Sequence, residues 1–253
     1  MRCLLLTLMC LLASPVLAAP QRVVSLDLCV DWLVAHYLPQ AQVAALSPMQ
    51  KRYPIDWIGP SWPLHDGSLE QVYALNPDQV LVGQFAASQM RQRLVELGVP
   101  VEVLPLPNTL EQVTDYQRQF LRAVGLPESL AGTVPPPATR PLHTQRLLLL
   151  GANAIGTGTG TLEDAILRHA GWDNYLTQPG YQALDLEQLV SDPPDAILWA
   201  APEHRALANQ FAEHPALKRL IPASRWLHTD YWRWQCPGPW TWALIGQLNQ
   251  WLD

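Results

Sequence analysis

The most informative pattern of apolar and polar positions in this chain occurs twice. Residues 68–82 (SLEQVYALNPDQVLV) and residues 185–199 (DLEQLVSDPPDAILW) share Leu, Glu, Gln, Pro, Asp and Leu at a constant offset of 117 positions. In each copy a capping residue (Ser68, Asp185) three positions before a glutamine predicts a short helix. A proline then ends the helix, and the apolar run after the aspartate predicts a buried strand. A repeat of this length is a domain-sized unit, so the pattern predicts two α/β lobes of similar design.

Further strands and helices alternate on either side of a proline-rich break. Apolar runs predict strands at 22–26, 42–46, 79–82, 101–104, 146–150, 196–199 and 226–228. Apolar residues at helical spacing predict helices at 27–38, 88–97, 109–124, 161–170, 203–214 and 241–252. Between the halves, Pro135-Pro136-Pro137 and Pro141 exclude a regular helix or strand interior. The predicted organisation is an N-terminal lobe at 19–125, a linker at 126–145 and a C-terminal lobe at 146–253.

The first 18 residues have the pattern of a cleavable signal peptide. Arg2 provides a positive start, residues 3–12 an apolar stretch, and residues 16–18 (VLA) a small-residue cleavage signal before Ala19. The apolar stretch is too short to span a bilayer, and no later stretch approaches the roughly 20 apolar residues that a spanning helix needs. These features predict a soluble, exported protein.

The charge of the chain narrows the class of partner. The formal net charge is −6, and loss of the predicted leader removes Arg2 and no acid. An acidic exported protein is a poor match for nucleic acid or for an anionic membrane surface. Nucleic acid is therefore not an expected partner.

The cysteines that lie outside the predicted leader are Cys29 and Cys236. In an oxidising compartment two cysteines are most simply one disulfide. A thiolate metal pair and two free buried thiols are the alternatives.

Motifs for phosphate binding and catalysis are weak or missing in the sequence. The Gly- and Thr-rich loop at 151–160 has neither a P-loop lysine nor G-x-G-x-x-G spacing, so it predicts a tight ligand-facing turn. There is no G-x-S-x-G elbow, and the seven histidines are scattered without paired metal-binding spacing. His65 differs because it lies in the long loop at 47–67 with Tyr53 and Trp62. Long aromatic loops on α/β scaffolds are more often sites than fillers.

The tryptophans indicate a ligand as well as a core. The chain has 11 tryptophans and only 3 phenylalanines. Trp32, Trp199 and Trp251 lie on apolar faces and are predicted to be core. Six others lie in predicted loops, where burial is costly unless the rings face a cleft: Trp57, Trp62, Trp172, Trp232, Trp234 and Trp240. Because Arg233 is almost the only charge beside them, the predicted ligand is large, flat or partly apolar.

An acidic residue stands in the first turn of both repeated helices. Glu70 or Glu187 alone is explained by the favourable interaction of an acid with the helix dipole, about 0.3 to 1 kcal/mol. That effect does not require both lobes to present an acid at the same turn. Two equivalent acids predict a symmetric docking surface, on which exposed charges steer and register a partner.

Taken in order, these motifs resemble those of the periplasmic substrate-binding proteins of ABC importers for cobalamin and iron-siderophores. The resemblance rests on the signal peptide, the Arg-Val-Val-Ser-Leu strand, the two Leu-Glu…Pro-Asp copies, the Gly-Val-Pro-Val strand, the Gly- and Thr-rich loop and the turn at 170–174. It implies an α/β fold of two Rossmann-like lobes with a ligand cleft between them and a single joining segment, helical in the family and interrupted by prolines here. It also implies a non-catalytic periplasmic monomer without a cofactor. The implied partners are a small-molecule chelate containing cobalt or iron and an inner-membrane ABC permease dimer.

The resemblance also implies roles for individual residues. Glu70 and Glu187 match the glutamates that dock onto arginines of the permease dimer. Segments that border the cleft in the family correspond to the loop after the first strand, the loop after the first copy's strand and the segment before the last helix. With the aromatic loops, the predicted ligand-binding residues are Asp27, Tyr53, Trp62, His65, Gln84, Phe85, Trp172, Trp232, Arg233 and Trp234. A bridge between Cys29 and Cys236 would tie the lobes together and restrict their opening.

Three functions are open from the sequence. Delivery of a bulky chelate is favoured, with cobalamin or another corrinoid ahead of an iron-siderophore or haem, because few cationic residues stand near the predicted cleft. The second is an exported α/β enzyme using His65 with Asp66 or Asp27, which lacks a recognisable nucleophile. The third is a bare-metal-binding protein of the same transporter class, which lacks clustered histidines.

Overall fold

A computed structural model describes residues 20–138, 145–200, 207–229 and 231–252 of the chain, without the side chains of Tyr231 and Trp232. The predicted signal peptide at 1–18 and part of the predicted linker lie outside these residues. In the described residues no helix is both long enough and apolar enough to cross a membrane.

The N-terminal half forms a parallel sheet covered by helices. Its four strands, β1 (Val23–Ser25), β2 (Val43–Ala45), β3 (Gln79–Gly83) and β4 (Val101–Leu104), lie in the order β2-β1-β3-β4. Its helices are α1 (Leu28–Tyr37), α2 (Met49–Arg52), α3 (Leu69–Ala74), α4 (Ser88–Glu96) and α5 (Leu110–Ala123). The central strands are apolar on both faces, as parallel strands covered by helices require.

The C-terminal half forms a second, mixed sheet. Its strands are β5 (Arg146–Leu150), β6 (Ile155–Thr157), β7 (Asp173–Asn174), β8 (Tyr181–Ala183), β9 (Ala196–Trp199) and β10 (Trp226–His228). They lie in the order β10-β9-β5-β6-β8, with β7 also paired to β5, and only the pairs of β6 are antiparallel. The helices are α6 (Leu162–His169), α7 (Leu186–Ser191), α8 (Pro215–Leu220), α9 (Tyr231–Gln235) and α10 (Trp240–Gln250). The predicted class, two α/β lobes each with its own sheet, is confirmed.

The aspartate of each repeat copy joins the strand that follows it to the first strand of its lobe. The Asp78 amide donates to the Arg22 carbonyl at 3.1 Å, and the Asp195 amide donates to the Arg146 carbonyl at 3.0 Å. Each carboxylate in turn accepts a backbone N–H at the start of the first strand, from Gln21 at 2.9 Å and from Arg146 at 2.7 Å. The repeated Pro-Asp therefore sets the register of β1 with β3 and of β5 with β9.

The helices of the repeat begin where the sequence predicts, although the caps are not full capping boxes. The Ser68 hydroxyl accepts the Gln71 amide at 3.2 Å, and the Asp185 carboxylate accepts the Glu187 amide at 2.8 Å. The Gln71 side chain accepts the Asp66 amide instead of returning to Ser68. The reciprocal bond is replaced because Asp66 itself caps Ser68, whose amide donates to the Asp66 carboxylate at 2.8 Å.

Hydrophobic packing crosses between the two halves in both directions. Trp240, the first residue of α10, belongs to the N-terminal core, where its ring lies 5.4 Å from Trp32 and 5.6 Å from Trp57. In return, Leu110 and Val113 of α5 pack in the C-terminal core. The two lobes therefore share parts of their cores.

Two predicted elements differ from the structure. The Gly- and Thr-rich loop contains strand β6, which pairs with β8. The helix predicted at 203–214 is wrong over 207–214, where only a single 3-10 turn (Leu207–Asn209) forms, and its start lies outside the described residues. The next helix, α8, begins at Pro215 because proline fits the first helical turn. Residues 126–138 form no long helix, in agreement with the prolines.

Candidate functional site

Open space lies at the carboxyl ends of the parallel strands in both lobes. In open α/β sheets ligands bind at this edge, outside the ends of the strands. The N-terminal lobe has two adjoining pockets of about 470 and 410 Å³, whose walls share Leu26, Met49 and Phe85. The C-terminal lobe has a pocket of about 150 Å³ beyond the ends of β5 and β9. We call these the N-lobe pockets and the C-lobe pocket.

The segment 234–237 lies between the pockets of the two lobes. Trp234 and Gln235 line the C-lobe pocket, and Pro237 lines the second N-lobe pocket. Between them, Cys236 forms a disulfide with Cys29, with an S–S distance of 2.06 Å and a Cα–Cα distance of 4.8 Å. The predicted disulfide is therefore confirmed, and it fastens the start of α1 to the segment before α10. The pockets together make a two-sided cleft with this bridge at its base.

The second N-lobe pocket is lined mainly by apolar side chains. Phe85 follows β3 and is 77% exposed, and Met49 at the start of α2 is also exposed. Leu104, Leu106 and Tyr116 complete the wall of the second pocket. Exposed apolar side chains grouped at a concave surface are characteristic of a binding surface.

Asp27 connects the two loops that follow β1 and β3. Its carboxylate caps α1 by accepting the Val30 amide at 3.1 Å, and it also accepts the amide of Gly83. A β-carbon on Gly83 would lie 2.8 Å from the Asp27 carboxylate, so glycine permits this close approach. Burial raises the pKa of Asp27, against the opposing effect of these backbone N–H groups.

Behind this wall lies a buried polar network that includes His65. The Nε2 atom of His65 lies 3.0 Å from the Ser25 carbonyl, and its Nδ1 accepts the Gly67 amide at 3.0 Å. Because Nδ1 accepts an amide and Nε2 faces a carbonyl, these contacts place the ring proton on Nε2. Burial lowers the pKa of His65. Both ring nitrogens are engaged by backbone groups. His65 lines the first N-lobe pocket through the rest of its ring, and as placed it has no free nitrogen for proton transfer.

Asp31 is the second member of this network. It accepts both the amide and the hydroxyl of Ser47, at 2.8 and 2.6 Å. It is fully buried, and burial raises its pKa well above the ordinary value. These bonds fix the loop after β2 against α1 and so hold one wall of the cleft.

The C-lobe pocket contains a buried carboxyl group that the sequence did not single out. Glu163, in the first turn of α6, is only 6% exposed and lines the pocket beside Thr157, Tyr181 and Trp234. The Tyr181 hydroxyl donates to Glu163 Oε1 at 3.3 Å. Burial raises the pKa of Glu163. An acid directly after a Gly-rich loop was the available signal, but Tyr181 comes next to it only through the pairing of β6 with β8.

The predicted ligand residues fall into three groups. Asp27, His65, Gln84, Phe85 and Trp234 line the pockets. Tyr53 and Trp62 pack, partly buried, against the N-terminal core. Trp172 is fully buried in the C-terminal core, where its Nε1 donates to the Leu248 carbonyl at 2.9 Å, so its ring does not face the cleft. Arg233 lies half-buried in α9, and the Trp232 side chain lies outside the described part of the chain.

The two repeated acids lie on exposed helical turns. Glu70 and Glu187 are both exposed in the first turns of α3 and α7. Because each of these helices precedes a parallel strand, it begins at the carboxyl edge of its sheet, the edge that carries the cleft. One turn later each helix exposes an apolar side chain, Tyr73 in α3 and Val190 in α7. The four residues form equivalent pairs at the repeat offset.

Within the described ranges, no three His, Cys, Asp or Glu side chains are grouped so as to hold a metal ion.

Comparison with known proteins gives matches in structure but not in sequence. No protein-family model and no curated protein sequence matches the chain. The periplasmic heme-binding protein HutB of Vibrio cholerae superposes with a TM-score of 0.72 at 18% identity, covering 92% of this chain and 98% of that chain. A periplasmic heme-binding protein from Pseudomonas aeruginosa gives a TM-score of 0.65 at 22% identity, covering 91% of each chain. The periplasmic vitamin B12 binding protein BtuF of Vibrio cholerae gives 0.66 at 16% identity, covering 92% and 98%.

These similarities extend over nearly the whole described chain. At such identities they establish the fold, which is that of the two-lobed periplasmic substrate-binding proteins of ABC importers, as the resemblance in sequence implied. All three of these neighbours are described as binding proteins, and none as an enzyme.

Proposed function

We propose that this chain is a periplasmic solute-binding protein that captures a bulky, largely apolar chelate and delivers it to an ABC permease without catalysing a reaction. The observation that carries the proposal is the two-sided cleft at the carboxyl ends of both sheets, mainly apolar in the second N-lobe pocket and closed at its base by the Cys29–Cys236 bridge. The heme- and vitamin B12-binding structures with the same fold support it.

A corrinoid is the favoured ligand because of the charge around the cleft. Asp27 and Glu163 line the pockets, whereas no described lysine or arginine lines any of the three. Heme carries two propionate groups and many iron-siderophores are anionic, so both would meet carboxyl groups without a compensating cation. The periphery of a corrinoid carries neutral amides. Heme is the next candidate, because it is the ligand named for two of the three structures above.

An enzyme is a weaker candidate for the same cleft. The side chain that sequence reasoning offered as its acid or base, His65, has both ring nitrogens bound to backbone groups. A general base needs a nitrogen within reach of its substrate.

Docking to the permease is proposed for the turns that carry Glu70 and Glu187. Both acids are exposed at equivalent positions of the two lobes, which suits a partner that presents the same cationic group twice. The neighbouring Tyr73 and Val190 add an exposed apolar contact to each turn. We also propose that residues 1–18 are a signal peptide for export. The boundary between the lobes is proposed to lie within residues 126–145.

Titration of intrinsic tryptophan fluorescence with cyanocobalamin, hemin and a ferric siderophore tests the proposed function. We expect saturable quenching by cyanocobalamin at micromolar or lower concentration. Phe85→Ala should weaken binding roughly tenfold, as expected when a large aromatic contact is truncated. Val95→Ala removes an exposed apolar side chain of α4 that lines none of the pockets described and serves as the matched control. Absence of binding to all three probes would refute the proposal.

A further inference from the structure

Glu163 is a buried acid at an open pocket, and it is not the residue on which the cap of its helix depends. It is the second residue of α6, whose N-cap is the Thr161 hydroxyl accepting the Asp164 amide at 3.2 Å. Asp164 also receives Asn174 Nδ2 and Arg168 Nε, each at 3.0 Å. The structural acid of this turn is therefore Asp164, which has a cation and an amide as partners.

Glu163 differs from Asp164 in the charge of its partners and in its position at the C-lobe pocket. Its carboxyl group receives neutral donors, namely the Tyr181 hydroxyl and its own amide. The contact with Tyr181, at 3.3 Å, is long for an O–H donor. In the described residues no salt bridge to Glu163 is formed. A buried carboxyl group with this set of partners retains capacity to accept a further hydrogen bond.

Tyr181 is placed to orient this carboxyl group without closing the pocket. It begins β8, which pairs in antiparallel fashion with β6, and Thr157 of β6 lies opposite it. The Tyr181 side chain is 62% exposed, while the Glu163 group it contacts is buried. The pair therefore presents a hydrogen-bond acceptor at the wall of the C-lobe pocket. A ligand that packs one edge against the apolar side chains of the second N-lobe pocket would face this acceptor with its opposite edge.

We propose that Glu163, positioned by Tyr181, determines ligand specificity by accepting a hydrogen bond from an N–H group on the ligand edge, either a primary amide or a cation, and by rejecting carboxylates. A donor on the ligand satisfies an acceptor that is already removed from water, so little further desolvation is needed. A ligand carboxylate at the same place would put two like charges together in a partly desolvated site. This inference rests on the proposed function, because it takes the cleft to bind a flat chelate.

The test compares ligands that share one ring system. The probes are cyanocobalamin and its monocarboxylate derivatives, in each of which one peripheral amide is replaced by an acid, together with hemin. We expect the wild-type protein to prefer cyanocobalamin over at least one monocarboxylate by tenfold or more at pH 7.5. Glu163→Gln keeps the size of the side chain but can donate to an acid, so it should reduce that preference at least tenfold.

Two further variants make the result interpretable. Tyr181→Phe removes only the orienting hydroxyl of an exposed residue, so it should fold normally and reduce the same preference two- to fivefold. Glu96→Gln removes a charge at the end of α4, at the edge of the sheet opposite the cleft, and should leave the preference unchanged. Tyr181→Phe also tests the inference if Glu163→Gln does not fold.

The outcomes separate the inference from the proposed function. Binding of cyanocobalamin with an unchanged preference in both cleft variants overturns the role of Glu163 and leaves the proposed function standing. Tighter binding of hemin than of cyanocobalamin by the wild-type protein also overturns it. Failure of the wild-type protein to bind either ring system refutes the proposed function, and the inference with it.

Discussion

Removal of the Cys29–Cys236 bridge should cost a large part of the stability of the folded chain. The two cysteines are 207 positions apart, so the bridge closes a loop that spans both lobes. The loop-closure relation assigns such a loop roughly 5 kcal/mol of stabilisation, and measured values are usually about 2–4 kcal/mol. We expect Cys29→Ala/Cys236→Ala to lower the free energy of unfolding by about 2–5 kcal/mol. For a chain of this size that corresponds to a fall in Tm on the order of 10 °C.

Guanidinium unfolding, followed by tryptophan fluorescence and far-UV circular dichroism, measures this effect. Wild-type protein is compared with and without a phosphine reductant, and the double variant is compared in the same two conditions. Reduced wild-type protein and the double variant should agree, and both should unfold with a steeper denaturant dependence because the unfolded chain without a cross-link exposes more surface. The reductant should not affect the variant. A loss below 1 kcal/mol in both comparisons would refute the reasoning, since the bridge would not then be constraining the unfolded chain.

Three further predictions concern docking, pH and packing. Glu70→Ala with Glu187→Ala should leave ligand affinity unchanged but impair permease-dependent uptake in vesicles, and undiminished uptake would contradict the docking proposal. Burial raises the pKa of Asp31 well above the ordinary 3.8, so the folded protein binds the carboxyl proton more tightly than the unfolded chain does. The stabilisation of the folded state by this proton is present below about pH 4 and is lost as the pH rises through the raised pKa. Asp31→Asn should flatten that dependence in unfolding measured from pH 4 to pH 8, with the Ser47 hydroxyl turning to accept the new amide, and an unchanged slope would exclude Asp31 as the cause. Trp240→Ala should cost about 3–5 kcal/mol in chemical denaturation because the ring is buried against two others, and a cost under 1 kcal/mol would contradict its place in the N-terminal core.

The parts of the fold that could be predicted from sequence are those set by neighbouring residues. The helix, proline, aspartate and strand of each repeat copy follow from capping, backbone restriction and apolar runs, all within about 15 positions. The β6–β8 pairing could not be predicted in this way, because the stretch with Gly156 and Gly158 has no apolar period and its partner strand lies beyond α6. Antiparallel pairing at such a distance is decided by the packing of the whole lobe.

The same distinction applies to the candidate site. The resemblance implies Asp27, Gln84 and Phe85 as ligand residues through the loops that follow two strands, and these loops can be located because strand ends are fixed by local sequence. The tryptophans were harder to place, because a ring in a loop can face a cleft or fill a core, and only the fold decides between them. Trp172 fills the C-terminal core. Glu163 was missed because its partner, Tyr181, is brought next to it by the unpredicted pairing of β6 with β8.

The position of Trp240 has a consequence for the order in which the lobes are completed. The N-terminal sheet is encoded by the first half of the chain, yet one ring of its core is the first residue of the last helix, and one half of its disulfide lies just before that helix. A polypeptide leaves the ribosome, or a translocation channel, with its N-terminus first. The N-terminal lobe therefore stays open until almost all of the chain has emerged, and a truncation that removes only the final helix should leave the lobe at the far end of the sequence unfinished.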